Sequence, residues 1–588
     1  MVVVGQFKMV MRARASVLRL LRLLRLLRLL PLLPLLLLLR TTVCRAAGPA
    51  SGLRLCPRTG LFLDGMNRTR FFHGVNVGSK LPPFVPETRQ TGTPDSLTED
   101  DLRVLHDEWG FNAVRMGVMW VAVEGVQGVM NNTFLGRVRA ISDTMFKHGI
   151  FTLLDGHQDL LGPDLCGEGF PQWAMRKLFA YEHFDVDNKF TQFPAPLPFV
   201  DIPRDPVTGY PAHSQCIKHL FIDFYSSFAS SAAFGALYQS TEMQQLYARF
   251  WTEVAYAFRG APGLMAYEVL NEPGPGNIYD VTYWPSDRQA LFPLYNVTHN
   301  AIRQIDDETI MFYEGIPTDQ YIGEYLHGTS DLLSPSGPGG EEYADREALA
   351  FHLYCPPGSN ELLCDGIIDL AWDWLARTKK LMTVGTRASI MTEFGSVGDQ
   401  PSDIRLLNKV SSAADEFLQS WFYWTYRSYG DITTQNPATE TFFYPNGSVQ
   451  ELKVKALSTT YPHAVAGAAE TIMFNMDRTT GFFELNYTTN AGNGGSDRSC
   501  REMMKAKSNA LDTSQISCPN STATVIFLNE KMWYPSGFTV TLKVLHTHTW
   551  VDAEKAGVLS WFVQTKNYIV VQHREGTVHK VRVLIAAN

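Results

Sequence analysis

Two carboxylates stand out by what precedes and follows them. In Ala266-Tyr267-Glu268-Val269-Leu270-Asn271-Glu272-Pro273 a short apolar run stops at a carboxylate beside a carboxamide, and Gly274 follows the proline. In Ala388-Ser389-Ile390-Met391-Thr392-Glu393-Phe394-Gly395 a second run ends in the same way. Short apolar runs bounded by breakers read as strands buried on both faces of a parallel sheet. Proline and glycine do not continue such strands, so Glu272 and Glu393 are expected at C-terminal strand edges. Two carboxyls so placed suit glycoside hydrolysis, in which one protonates the leaving oxygen while the other attacks, or activates water at, the anomeric carbon. Read alone, Asn-Glu-Pro could equally be a helix-capping turn; the second segment of the same form argues for the site. The expectation is geometrical: residues 272 and 393 must converge across one sugar ring. Asp155 and Glu314 are rival carboxylates, and Glu268, four residues before Glu272, is read as structural.

The elements that would hold these groups recur in order. Strand-like segments are Phe71–Gly78, Gly110–Arg115, Gly149–Asp155, the run ending at Glu272, Thr309–Tyr313, Ala348–His352, the run ending at Glu393, and Ser420–Thr425. Helical spacing lies between them, at Leu102–Trp109, Leu135–His148, Glu242–Phe258 and Ala413–Leu418. This alternation predicts an α/β protein, a (β/α)8 TIM barrel over residues 48–457, whose catalytic groups sit at the C-terminal strand ends. Residues from about 160 to 240 break the rhythm with Pro, Phe and Tyr, including Pro194–Pro198 and the apolar stretch Leu220–Tyr238. An insertion after a barrel strand falls on the active-site face, and its aromatics suggest a wall for substrate. Residues 458–588 carry short β-rich runs with Gly, Asn and Pro between them, which predicts a C-terminal antiparallel β-sandwich acting as a buttress.

Both glutamate segments resemble the retaining glycoside hydrolases of family 5. The resemblance assigns a set of strand-end residues. It implies that Glu393 is the nucleophile, held ionised by Arg115 and Tyr354, and that Glu272 is the acid/base. Asn271 is implied to bind the sugar 2-hydroxyl, His157 and His352 to line the site, and Trp424 to form the sugar platform. Finer motifs, His73-Gly74-Val75-Asn76-Val77-Gly78-Ser79-Lys80, Asp155-Gly156-His157-Gln158-Asp159 and Gly169-Phe170-Pro171-Gln172-Trp173, resemble the endoglycoceramidases, which cut between the glycan and the ceramide of a glycosphingolipid. That likeness adds Lys80, Asp159 and Trp173 to the pocket beside the glucose and implies a glycosphingolipid substrate met at a membrane or micelle surface. Lys80 and Asp159 could alternatively be an ordinary surface pair. A glucosylceramide-cleaving relative and an inert glycolipid-binding protein are the competing readings.

Composition sets the outer limits. A chain of 588 residues with 45% hydrophobic and 19% charged residues is globular and long enough for two or three domains. A net charge of -8 argues against nucleic acid as a partner. No metal or nucleotide motif appears and the histidines lack ligand spacing, so neither a metal nor a cofactor is expected, and the protein is read as a monomer. Residues 1–47 carry a basic stretch, the apolar run Leu29–Leu39 and a small-residue exit, which predicts a signal peptide and a secreted or endo-lysosomal destination. Sequons at Asn67, Asn131, Asn296, Asn446, Asn486 and Asn520 accord with that route. An oxidising lumen favours disulfides. Spacing does not fix their connectivity, but Cys355–Cys364 and Cys500–Cys518 would close short loops, and Cys166–Cys216 would span the insertion, leaving Cys56.

Overall fold

The structure is a computed structural model that describes residues 52–181, 211–219, 224–225, 227–276, 286–317, 331–334, 336–355, 359–381, 388–431, 437–490 and 521–588. The N-terminal signal segment, Pro194–Pro198, the Cys500–Cys518 pair and Asn520 lie outside those residues.

Eight parallel strands close into a barrel. They are β4 (His73–Val77), β5 (Ala113–Gly117), β6 (Phe151–Asp155), β7 (Leu264–Glu268), β8 (Ile310–Glu314), β9 (Glu347–Leu353), β10 (Ser389–Gly395) and β11 (Trp421–Trp424), with β11 returning to pair with β4. Each strand has apolar residues on both faces, because helices cover the outside and side chains fill the inside. The inward residues form one apolar layer that includes Phe72, Ala113, Leu153, Ala266, Phe312, Ala350, Ile390 and Phe422. The covering helices read as amphipathic. In Thr241–Phe258, Met243, Tyr247, Phe250, Trp251, Val254 and Phe258 face inward at helical spacing, and the Ser240 hydroxyl accepts the Met243 N–H at its start.

The strands differ from the sequence reading in one respect that matters for the site. Glu272 is not at the edge of β7, which ends at Glu268. Val269–Glu272 leave the sheet, and Glu272 itself adopts a left-handed φ of 38°. Val269 makes one last backbone bond to β8, its N–H donating to the Phe312 carbonyl at 3.0 Å, and the apolar character of Leu270 beyond it marks burial rather than strand pairing. Arg115 is likewise mid-strand rather than terminal.

Two antiparallel sheets share a second core. One, in spatial order, joins β1 (Arg54–Leu55), β2 (Phe62–Leu63), β3 (Thr69–Arg70), β12 (Tyr461–Val465), β15 (Ala523–Phe527), β19 (Tyr568–His573) and β18 (Leu559–Thr565). The other orders β13 (Met473–Met476), β14 (Phe483–Thr488), β20 (Lys580–Ala587), β16 (Phe538–His546) and β17 (Thr549–Asp552). Residues 54–70, counted with the barrel from sequence, therefore pair with the C-terminal sheet. The Cys166–Cys216 and Cys355–Cys364 disulfides are both formed.

The barrel meets the sheets through close backbone contact. The Tyr461 hydroxyl donates to the Gly110 carbonyl at 2.6 Å. Gly110 has a φ of 79°, and a Cβ there would lie 2.4 Å from the Phe527 ring. Both facts require glycine. Gly110→Ala is expected to destabilise the protein by about 2 kcal/mol or more through overpacking and strain, read as a fall in thermal midpoint of several degrees; an unchanged midpoint would show that the junction tolerates a side chain.

Candidate active site

The side chains of a strand alternate, so the inward apolar layer has a successor two residues further along each strand. Following that period by two steps from Phe72, through Gly74, and by one step from Ala113, Leu153, Ala266, Phe312, Ala350, Ile390 and Phe422 gives Asn76, Arg115, Asp155, Glu268, Glu314, His352, Thr392 and Trp424. These residues are all buried and form the floor of the site.

Arg115 is the hub of that floor. Its Nε donates to Glu268 Oε2 at 2.5 Å, one terminal nitrogen donates to Glu393 Oε1 at 2.6 Å and Asn76 Oδ1 at 3.0 Å, and the other donates to Asn271 Oδ1 at 2.7 Å. Asp155 Oδ1 lies 3.2 Å from the same guanidinium. Burial alone would discourage the cation, but the charges of Asp155, Glu268 and Glu393 outweigh it and hold Arg115 well above its ordinary value.

Glu393 reaches this hub because the β9–β10 pairing slips by a residue between Met391 and Glu393. A bulge re-aims the side chains that follow it. Here it lets consecutive residues serve one site: Thr392 donates to Glu268 Oε1 at 2.8 Å while Glu393 meets Arg115. The second oxygen of Glu393 accepts from the Tyr354 hydroxyl at 2.7 Å.

Glu272 arrives from the loop after β7. His352 Nδ1 lies 2.7 Å from Glu272 Oε1 and 3.5 Å from Glu393 Oε2. One oxygen of Glu272 and one of Glu393 fall within 4.8 Å of each other. The sequence-predicted convergence of these two residues is thus present. Burial, and then the charge of Asp159, push the Glu272 carboxyl up to about 7. Burial lowers His352 to about 4, so this imidazole is neutral beside the two glutamates.

The loop holding Glu272 is pinned on both sides. Gln158 donates to the carbonyls of Asn271 and Glu272 at 2.7 and 2.9 Å, and Asn271 donates back to the Gln158 carbonyl at 3.0 Å. The insertion contributes the helix Phe228–Gln239, from which Ser231 and Tyr238 donate to the carbonyls of Gly276 and Gly274. Tyr225 of the insertion stands near the same group. Burial, then the charges of Glu272 and Asp159, raise its phenol well above the ordinary range.

A second cluster lies beside the carboxylates. Lys80 donates to Asp159, whose carboxylate also lies 3.3 Å from His157 Nε2, while His157 Nδ1 lies 2.5 Å from Asp155. Trp424 stacks on His157 at 5.7 Å and sits under the Lys80 ammonium at 4.6 Å. The side chains of Lys80 and Asp159 are only 1% and 5% exposed, so the surface-pair alternative does not hold. Burial and Lys80 oppose a charge on His157, yet Asp155 and Asp159 raise it to about 9. Gly156 is fixed by contact, since a Cβ there would lie 2.5 Å from the Val269 carbonyl oxygen.

Of the eleven residues singled out from sequence, ten are joined by these contacts. Trp173 is held elsewhere: its indole donates to the Glu124 carbonyl at 2.9 Å and its ring meets Trp120 edge-on at 5.2 Å. Asn76, Asp155, Gln158, Glu268 and Glu314 complete the network and were not among the eleven. The two-residue period along the strands would have found all of these but Gln158. Two triads, Glu268–Glu314–His352 and Glu272–His352–Glu393, each bring three donor atoms within 4.8 Å. In each, one carboxylate also accepts from Arg115.

Residues 83–430 match the family described as cellulase (glycosyl hydrolase family 5), and residues 460–583 match the glycoside hydrolase family 5 C-terminal domain. An endoglycoceramidase of Cyanea nozakii is 31% identical over 510 residues, covering 86% of this chain and 90% of that one. An endoglycoceramidase of Hydra vulgaris is 32% identical over 492 residues, covering 82% and 81%. The solved structure of endo-glycoceramidase II from Rhodococcus sp. in a cellobiose-like imidazole complex covers 90% of this chain and 100% of its own, with a TM-score of 0.61 at 20% identity, a likeness of fold. With a buried two-glutamate site in a closed barrel and matches along both its parts, the chain belongs to glycoside hydrolase family 5 and is a glycoside hydrolase.

Proposed function

We propose that this enzyme hydrolyses the β-glucosidic bond between the oligosaccharide and the ceramide of a glycosphingolipid, with retention of anomeric configuration. The observation that carries the stereochemistry is the approach of the Glu272 and Glu393 oxygens to within 4.8 Å. Retaining enzymes hold their carboxyl groups about 5–5.5 Å apart, whereas inverting enzymes leave about 6.5–9.5 Å for a water. The substrate class is drawn from the endoglycoceramidases to which the chain is similar over most of its length.

In this reading Glu393 attacks the anomeric carbon as its bond to the ceramide oxygen breaks. Arg115 and Tyr354 each donate to one oxygen of the nucleophile, which orients it for attack. Glu272 gives its proton to the departing oxygen, so ceramide leaves as the alcohol and a glycosyl ester remains on Glu393. Glu272, now ionised, takes a proton from water as that water attacks the anomeric carbon and breaks its bond to Glu393, which frees the oligosaccharide and restores both carboxyls. Consumption of the charge on Glu393 in the first half and its return in the second support this cycling of the Glu272 proton. Lys80, Asp159, His157 and Trp424 make the floor on which the first sugar rests, and Asn271 faces the 2-hydroxyl. Trp173 would line the glycan cleft further out. We propose also that residues 1–47 route the chain to a secreted or endo-lysosomal destination, and that it works there as a monomer on glycolipid presented by membranes or micelles.

Three outcomes test this reading. Purified protein given an intact ganglioside should release whole oligosaccharide and ceramide, and Glu393→Gln should abolish turnover while leaving binding; release from glucosylceramide alone would favour the narrower β-glucosidase, and unchanged behaviour of the variant an inert binder. Because Glu272 must carry its proton at the outset and its pKa is raised to about 7, kcat/KM should be lost as pH rises through about 7, tenfold per unit above it; a flat profile to pH 9 would remove Glu272 as the acid. Arg115→Met leaves three buried carboxylates without their cation and should cost about 3–5 kcal/mol of stability together with activity, read by denaturant unfolding.

A further inference from the structure

Glu314 has no part in the reaction described above, yet it is fully buried against the acid/base. It is the inward residue at the end of β8. Its Oε2 accepts the backbone N–H of Glu272 at 2.8 Å, and its Oε1 lies 3.5 Å from His352 Nδ1. The strand end that carries it is fixed to the helix Asp287–Arg303. The Tyr295 hydroxyl donates to the Glu314 carbonyl at 2.7 Å, and the Ile316 N–H donates to Asp287 at 3.1 Å.

The residue that Glu314 holds is conformationally unusual. Glu272 has a φ of 38°, a region that side-chain-bearing residues rarely occupy. Pro273 follows it and supplies no N–H of its own. The left-handed turn therefore needs an external partner for the Glu272 N–H, and a side chain from the neighbouring strand provides it.

We propose that Glu314 is a positioning residue for the acid/base: by accepting the Glu272 N–H it fixes the backbone turn that aims the Glu272 carboxyl at the leaving oxygen. This inference rests on the assignment of Glu272 given above. The groups facing Glu314 are Glu268 from β7, Glu272 from the loop, His352 from β9, Arg115 from β5 and Tyr295 from the helix. Burial, then the charges of Glu272 and Glu268, push the Glu314 carboxyl well above the usual carboxylate range. A neutral carboxyl still accepts through its carbonyl oxygen, so glutamine can take over the role, whereas leucine cannot.

The test compares Glu314→Leu and Glu314→Gln on two substrates with the same glycan. One carries a ceramide, which must be protonated to leave; the other carries dinitrophenolate, which leaves unaided. With Glu314→Leu, kcat/KM for the ceramide substrate should fall about 30-fold or more while that for the dinitrophenyl substrate stays within about 3-fold. Glu314→Gln should restore the first value to within about 3-fold of wild type. Equal losses on both substrates, no loss on either, or a glutamine variant as impaired as the leucine variant would each overturn the proposal. If Glu314→Leu does not fold, Glu314→Ala carries the same comparison. Failure of the wild-type protein on both substrates would instead reject the functional assignment itself.

Discussion

One buried cation organises the catalytic end of this barrel. Arg115 has no access to water, so its charge is tolerable only with partners on every nitrogen. It has them from five elements: Asn76 on β4, Asp155 on β6, Glu268 on β7, Asn271 in the loop after β7, and Glu393 on β10. A planar donor fork imposes directions as well as distances. Glu393 and Asn271 are therefore located relative to one another through a rigid group that touches both. Gly117, two residues beyond Arg115, lies close under His157, whose Cβ would be 3.3 Å from a Cβ there.

The cation also explains why the carboxyls behave differently. Glu393 accepts from Arg115 and Tyr354 directly. Glu272 has no such bond to the guanidinium, and burial with Asp159 nearby raises it to about 7. Beside it, the Asp159 carboxylate stands between the Lys80 ammonium and the His157 ring, and the two cations oppose the upward push that Asp159 gives to Glu272. The two roles proposed for Glu272 and Glu393 thus rest on the different company that two identical side chains keep.

Much of this was legible in the residues, and the reason is periodicity. Parallel strands covered by helices are apolar throughout, so a carboxylate that interrupts such a run is conspicuous, as at Glu393. The same rule misled at Glu272, where Val269 and Leu270 prolong the run although β7 has already ended; apolar residues beneath a loop are indistinguishable from apolar residues in a strand. Glu314 and Asp155 were visible as carboxylates but not as partners, because partnership across strands depends on register. Trp173 is singled out by its motif, and its indole N–H is taken by the Glu124 carbonyl. The pairing of residues 54–70 with the last third of the chain is a long-range choice that no local pattern records.

That pairing ties the two ends of the molecule into one sheet. Thr69 and Arg70 face Val465 and Ala464, and Arg68 reaches the carbonyl of Ala523 at 3.2 Å, across 455 residues of sequence. During synthesis the first strands leave the ribosome with their edge uncovered and wait for nearly the whole polypeptide to follow. Closing this sheet brings together segments that the whole barrel separates in sequence, a long-range contact of the kind that slows folding.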